Sequence, residues 1–314
     1  MLARGTRVLV AVSGGPDSTG LLLVLARLHR KLGIELVAAH INHRLRGAAA
    51  DLDEACAAEN AAALGIAFAR AELPAELAEG GNLEGRARTL RYAALHRLAA
   101  EHGCAAIATG HTLDDQAETV IMRLIRGSSG RGLGAIQPRR ADGVVRPLID
   151  CRRAAVEAVV RGEGLPYRID QSNRDHRFLR TQVRERVLPL LSELNPSIAR
   201  ACANLAAASR AERVAITAWA NAQLAVGAAA GRLDVGWLRR VPAPVRSLLV
   251  RRWLVAAGVA RRSLTARHAH AVLQLALTSR GGGIAQLPCG WQVRRTGAYL
   301  TVARLRSSPR SACR

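Results

Sequence analysis

A short apolar run, Arg7–Val12 (RVLVAV), leads without a spacer into Ser13-Gly14-Gly15-Pro16-Asp17-Ser18, and from Asp17 to Leu32 apolar residues recur at helical spacing. A strand that turns on two glycines straight into a helix is the opening unit of a parallel sheet. Two glycines let the backbone bend tightly enough to aim its N–H groups at an anion. Ser13 and Ser18 add hydroxyl donors, and the helix N-terminus adds a favourable dipole. Asp17 is out of place beside a phosphate unless a divalent cation sits between them. The lysine of a Walker A loop is absent, and the spacing is not G-x-G-x-x-G, so neither of those nucleotide signatures applies. The plain alternative is a helix cap with Ser13 or Ser18 as the capping residue.

The alternation continues. Glu35–Ile41, Ile66–Ala71, Cys104–Thr109 and Val144–Ile149 read as strands; 51–64, Leu83–Glu101, Leu113–Arg126 and a stretch from Arg152 read as helices. This predicts an α/β fold, a parallel sheet with helices on both faces and ligands beyond the carboxyl ends of the strands. Ser128–Gly143, rich in glycine and arginine, reads as a flexible loop of the kind that forms lids. Beyond Asn195 the pattern changes to one long alanine-rich helix ending near Gly227. Two shorter helices and three short strands, 284–287, 291–295 and 299–303, follow. The expected division is residues 1–215 for a catalytic domain and 216–314 for a smaller, mainly helical, basic domain with short terminal strands.

Charge separates the two parts. The formal net charge is +22, with 22 basic and 18 acidic residues over 1–169 but 24 basic and 6 acidic over 170–314. Lys31 is the only lysine, so codon bias accounts for arginine over lysine. It does not account for the loss of acids from the second half, which points to a polyanionic partner. Aromatic residues make up 3%, which favours arginine–phosphate contacts over base stacking. The six cysteines include no C-x-x-C pair, so they read as scattered reduced thiols rather than a zinc or cluster site. No apolar run is long enough to span a membrane, and a cytoplasmic location is expected.

Two further stretches carry polar groups to strand ends. His40-Ile41-Asn42-His43-Arg44-Leu45-Arg46 closes the second strand, where a base or ribose would lie. Gly110-His111-Thr112-Leu113-Asp114-Asp115-Gln116-Ala117-Glu118-Thr119 closes the fourth and opens a helix. Asp114 and Asp115 share a helix face with Glu118. Carboxylates at a helix start suit the dipole, yet this one faces the crevice of the phosphate loop and could hold a metal or an ammonium group.

The hexapeptide Ser13–Ser18 resembles the S-G-G-x-D-S loop of the ATP-pyrophosphatase (PP-loop) enzymes. The ordered set S-G-G-P-D-S, H-I-N-H-x-L-R, G-H-T-x-D-D-Q-A-E-T and M-R-L-x-R-G-S is similar to that of tRNA(Ile)-lysidine synthetases. So are 82–92, Arg146-Pro147-Leu148, 170–173 and Phe178–Arg184. Thr181 stands where that family usually has asparagine, and Cys289 where a glycine is expected. The tail resembles the family's small second domain, and the further domain of longer members is not seen.

The resemblance implies a Rossmann-like fold of the adenine nucleotide α-hydrolase type. It implies an enzyme that adenylates the wobble cytidine of tRNA(Ile) with a CAU anticodon and lets the ε-amine of free L-lysine displace AMP. ATP is then a substrate, bound by Ser13, Gly14, Gly15, Pro16, Asp17, Ser18, His40, Asn42 and Gly110, with Mg2+ on Asp17. Asp17, His111, Asp115 and Glu118 are the expected catalytic residues, with Asp115 or Glu118 accepting the lysine proton. Asp115, Glu118, Arg180 and Arg184 are expected to bind lysine, and Arg44, Arg46, Arg88, Arg126, Arg251 and Arg252 the tRNA. A thiolase on the same loop is disfavoured by the missing cysteine pairs, and a small-molecule synthetase by the basic second half. The oligomeric state is left open, a homodimer included.

Overall fold

A computed structural model of the chain describes residues 2–42, 47–73, 83–168, 176–229, 231–278 and 282–305. They divide into two compact units, 1–210 and 211–314. The first contains a five-stranded sheet. Its strands are β1 (Arg7–Ala11), β2 (Glu35–Asn42), β3 (Ala67–Glu72), β4 (Ala106–Thr109) and β5 (Val144–Val145), in the order β3-β2-β1-β4-β5. Every pairing is parallel.

Strand β1 shows why the sheet needs cover on both sides. Val8 and Val10 pack with Leu21, Leu22 and Leu25 of α1 (Pro16–Leu32) and Val156 of α6 (Arg153–Gly162). Leu9, pointing the other way, packs with Tyr92, Leu95 and Leu98 of α3 (Leu83–Glu101). A strand buried on both faces reads as an unbroken apolar run, which is how RVLVAV reads. Helix α2 (Ala48–Ala63) covers the side of α1, through Ala57 and Ala61. Helix α1 ends at Gly33, whose φ of +64° closes it left-handed.

The chain moves outward from β1 to β2 to β3, then crosses back to β4 on the other side of β1. The switch point lies between β1 and β4, so the turns after these two strands border one crevice. Those turns are Ser13–Ser18 and Gly110–Thr112. Helix α4 (Leu113–Ile125) follows β4.

Two expectations need correction. The fifth strand is only two residues long, not 144–149. The 128–143 segment is not a free loop: it contains a short helix, α5 (Gly130–Leu133), and side chains pin its backbone. Gln116 donates to the carbonyl of Ile136 (3.1 Å) and accepts from its N–H (2.8 Å). Arg210 donates to the carbonyls of Gly134 (2.8 Å) and Ile136 (3.2 Å). Arg123 holds Gly132, and Arg146 holds Gln137, through their carbonyls. These four side chains are scattered from Gln116 to Arg210, and no local pattern announces them.

After α6 come α7 (Leu179–Gln182), a π-helical turn over Val183–Val187, α8 (Leu188–Leu194) and α9 (Ile198–Gly227). The second unit has its own antiparallel sheet of β6 (Ala228–Ala229), β7 (Arg232–Asp234), β8 (Ile284–Gln286), β9 (Trp291–Thr296) and β10 (Tyr299–Arg304), ordered β6-β7-β10-β9-β8. Strands β6 and β7 precede its helices, so the sheet is larger than the three terminal strands expected. Helices α10 (Val235–Arg240), α11 (Ala243–Ala256) and α12 (Ala266–Leu277) complete it. Leu238, Leu249, Trp253, Leu254, Val272, Val293 and Leu300 form its core. Among the described residues no helix is long and apolar enough to cross a membrane. Cys56, Cys104, Cys151 and Cys202 are free.

Candidate active site

The phosphate loop is wired by its own side chains. Ser18 Oγ accepts from the N–H of Ser13 (3.0 Å) and donates to the carbonyl of Gly15 (2.9 Å), and Ser13 Oγ lies 3.1 Å away. Gly14 has φ +84°, and a Cβ there would stand 3.0 Å from the carbonyl of Asp53, so no other residue fits well. Arg168 donates its N–H to the Gly14 carbonyl (2.9 Å) and its Nε to Asp53 (2.8 Å), bracing the loop from outside. Helix α1 begins at Gly15 with no side-chain cap. Its first-turn N–H groups therefore lack the partner that a phosphate would supply.

Helix α4 is capped in the opposite manner. Thr112 donates its N–H (2.8 Å) and its hydroxyl (3.0 Å) to Asp115 Oδ2, closing a capping box. That bond turns Asp115 Oδ1 into the crevice. Asp114 caps the neighbouring helix by accepting the N–H of Arg153 (2.7 Å), so α4 and α6 meet start to start.

At this junction three carboxylates meet three guanidinium groups. Arg153 donates Nε to Asp17 Oδ2 (3.0 Å), Nη2 to Asp115 Oδ1 (2.8 Å) and Nη1 to Glu118 Oε1 (3.2 Å). Arg180 donates to Glu118 Oε2 (2.7 Å) and Asp115 Oδ1 (2.6 Å). Arg184 forks onto both oxygens of Glu118 (2.6 and 3.1 Å). Glu118 is 0% exposed, and its burial is compensated by four charge-assisted bonds. Arg153 was not among the residues expected at the site. It opens α6 in an unremarkable C-R-R, and only the tertiary fold brings it to Asp17.

These contacts set the charges. Burial opposes ionisation of Asp115, but Arg153, Arg180 and the Thr112 N–H hold its carboxyl below the ordinary range. Burial likewise opposes ionisation of Glu118, and Arg184 and Arg180 overcome it. Asp17 goes the other way: burial, with Asp115 and Glu157 adding and Arg153 opposing, raises it to about 6. Its Oδ1 is buried without a hydrogen-bond partner. His111, bonded through Nδ1 to the Thr109 hydroxyl (3.0 Å), is lowered to about 3. Burial is the main cause, Arg146, Arg88 and Arg180 add to it, and Asp115 opposes. It is neutral at physiological pH.

A cationic wall adjoins His111. Arg146 is only 3% exposed, and Arg88, Arg91 and Arg140 lie 5.2, 5.7 and 4.6 Å from the ring centroid of Tyr92.

The other expected residues fall elsewhere. His40 is buried, and its Nδ1 donates to the carbonyl of Val12 (2.8 Å), just before the phosphate loop. Asn42 is buried and donates to Asp51 (3.0 Å) and Glu54 (3.1 Å). Both brace the ends of strands rather than line open crevice. Gly110 packs against the Asp17–Ser18 peptide. Arg126 is exposed at the end of α4. Arg251 donates to the Leu264 carbonyl (3.0 Å) and Arg252 to Asn221, holding the second unit together. Arg44 and Arg46, and the 170–173 stretch, lie outside the described residues.

Both parts of the chain resemble known proteins. Residues 3–191 match the PP-loop domain family and residues 233–301 the TilS substrate binding domain. A tRNA(Ile)-lysidine synthase of Geobacter sulfurreducens is 38% identical over 297 residues, 92% of this chain and 63% of that one. The Solibacter usitatus protein of the same name is 36% identical, over 96% of this chain and 68% of its own. That of Thermobifida fusca is 36% identical over 96% of this chain and 93% of its own. Thus the chain spans under two thirds of the Geobacter relative and nearly all of the Thermobifida one. Among solved structures, the U34-tRNA thiolase NcsA of Methanococcus maripaludis, with its [4Fe-4S] cluster, superposes with a TM-score of 0.57. It has 20% identity, over 65% of this chain and 72% of that one, a likeness of fold.

Proposed function

This chain belongs to the tRNA(Ile)-lysidine synthase family of PP-loop proteins, and from that premise we propose that it joins free lysine to a tRNA. The ε-amine of lysine would be ligated to C2 of the wobble cytidine in the CAU anticodon of tRNA(Ile), through an adenylated intermediate, with AMP and pyrophosphate released. The observation that carries the reading is the meeting of an uncapped phosphate-binding helix start with a buried carboxylate pair on the next crevice-facing helix.

The residues divide the work as follows. Ser13, Gly14, Gly15, Pro16 and Ser18 cradle the ATP phosphates on the α1 terminus. Asp17, with a buried unpartnered oxygen, suits a Mg2+ shared with phosphate oxygens, the mode this ion prefers. When bound, that ion would screen charge as pyrophosphate departs. Neutral His111 can donate one hydrogen bond to the activated oxygen without adding charge.

Asp115 and Glu118 hold the lysine ammonium. Carboxyls kept below their usual range bind a cation well and accept a proton poorly, which counts against either as the base. The gain lies mostly in placing three reactants together. Arg88 and Arg126, together with Arg44 and Arg46 and the basic second unit, offer phosphate contacts to tRNA. Such an enzyme would work in the cytoplasm.

Incorporation of radiolabelled lysine into tRNA(Ile) with a CAU anticodon, in the presence of ATP, tests the reading. Incorporation that needs both ATP and this tRNA is expected. Pyrophosphate release indifferent to tRNA, or no lysine in the product, would overturn it.

A further inference from the structure

The carboxylate pair on α4 has no room for a substrate cation as it stands. A carboxylate offers about four acceptor positions. Asp115 Oδ1 accepts from Arg153 and Arg180, and its Oδ2 from the N–H and hydroxyl of Thr112. Glu118 Oε1 accepts from Arg153 and Arg184, and Oε2 from Arg180 and Arg184. All the positions on both side chains are taken. An ammonium with three donors enters only if a guanidinium leaves.

The three arginines are not equivalent. Arg180 and Arg184 touch only the α4 carboxylates within this cluster. Arg153 also touches Asp17, the second residue of α1, and among the described residues it is the only guanidinium paired with that carboxylate. It therefore stands between the phosphate loop and the α4 pair. Polyphosphate docked on the α1 terminus would place several negative charges next to Arg153. A planar guanidinium forks readily onto phosphate oxygens.

We propose that Arg153 occupies the ammonium position of the site until nucleotide phosphates draw its guanidinium away, so that ATP binds first and lysine second. This rests on the lysine reading given above. The movement vacates one position on Asp115 Oδ1 and one on Glu118 Oε1, side by side. It also frees Asp17 Oδ2. The cluster before ATP arrives has as many guanidinium groups as carboxylates, so an extra cation gains little there. After Arg153 turns to the phosphates the carboxylates are left in excess, and an ammonium restores the balance.

The test is lysine binding to the full chain, followed by calorimetry with and without α,β-methylene-ATP, an analogue that cannot be split at the bond cleaved in adenylation. Wild-type protein is expected to bind lysine at least about tenfold tighter with the analogue, within the usual span of coupling between sites. Arg153→Gln is expected to bind lysine equally with and without it, and to bind the analogue itself more weakly. Arg153→Lys, which keeps a cation but cannot span three carboxylates, should fall between the two. Wild-type binding of lysine that ignores the analogue would overturn the proposal and leave the lysine reading intact. An absence of lysine binding to wild type even with the analogue would overturn both. Because the first comparison uses only wild-type protein, it stands even if Arg153→Gln does not fold.

Discussion

A β-carbon on Gly110 would stand 2.8 Å from the carbonyl oxygen of Asp17 and 3.0 Å from the nitrogen of Ser18. The turn after β4 thus rests directly on the first turn of α1, and the two halves of the crevice are in backbone contact. Gly110→Ala must push the phosphate loop away from α4. A displacement near 1 Å in a positioned site lowers rates by roughly a hundredfold. We expect that loss in pyrophosphate release, with a smaller drop in thermal midpoint. An unchanged rate would show that the contact does not position the loop.

Gly20 serves packing in a similar way. A Cβ there would meet Val156 Cγ1 at 2.3 Å, where α1 crosses α6. Gly20→Ala should destabilise the first unit by about 1–3 kcal/mol, the usual range for overpacking. Adding Val156→Ala should recover part of it. Urea denaturation of the two single variants and the double variant measures the coupling; additive effects would mean that the helices can slide apart.

The pinned 134–137 segment depends on Gln116, which is 1% exposed. Gln116→Leu leaves the N–H and carbonyl of Ile136 without their amide partner. A buried unsatisfied group costs about 1–3 kcal/mol, and limited proteolysis should begin to cut near residue 135. Resistance to protease equal to that of wild type would place the restraint on Arg210 and Arg123 instead.

Asp115→Asn removes the charge but keeps the shape. Lysine transfer should fall by two orders of magnitude or more while tRNA-dependent pyrophosphate release survives, because the amide cannot hold an ammonium as the carboxylate does. The two readouts can be followed in one reaction. Normal transfer would remove Asp115 from the lysine site.

His111 gives a pH signature. Its folded-state pKa of about 3 lies below the unfolded value of 6.5. As pH falls below 6.5 the unfolded chain takes up this proton first, so the contribution of neutral His111 is full above pH 6.5 and is lost progressively toward pH 3. Stability measured at pH 7.5 and at pH 5 should differ less in His111→Asn than in wild type. Equal slopes would mean that the ring protonates freely in the folded state.

Much of this was legible in sequence because it is local. The glycine turn, the helix that follows it and the acidic start of α4 lie within runs of about ten residues, and their chemistry is written in spacing. Arg153, Arg146 and Gln116 were not legible in the same way. Arg153 meets Asp17 across 136 positions of sequence, and an arginine opening an ordinary helix carries no mark of that. His40 and Asn42 carry contacts that their position at a strand end does not announce: the fold joins them to the carbonyl of Val12 and to Asp51. Cys289 replaces an expected glycine and has φ +59°, so the backbone explains the glycine even where the residue departs from it.

The wiring of Ser13, Ser18 and Gly15 bears on how quickly this chain finds its nucleotide. The three bonds close the loop on itself without help from a ligand. Nothing there has to be ordered on arrival, so encounter and capture collapse into one event. In a stopped-flow trace the nucleotide should dock in a single phase whose rate rises linearly with concentration, and any slower phase belongs to the arginines beyond the loop.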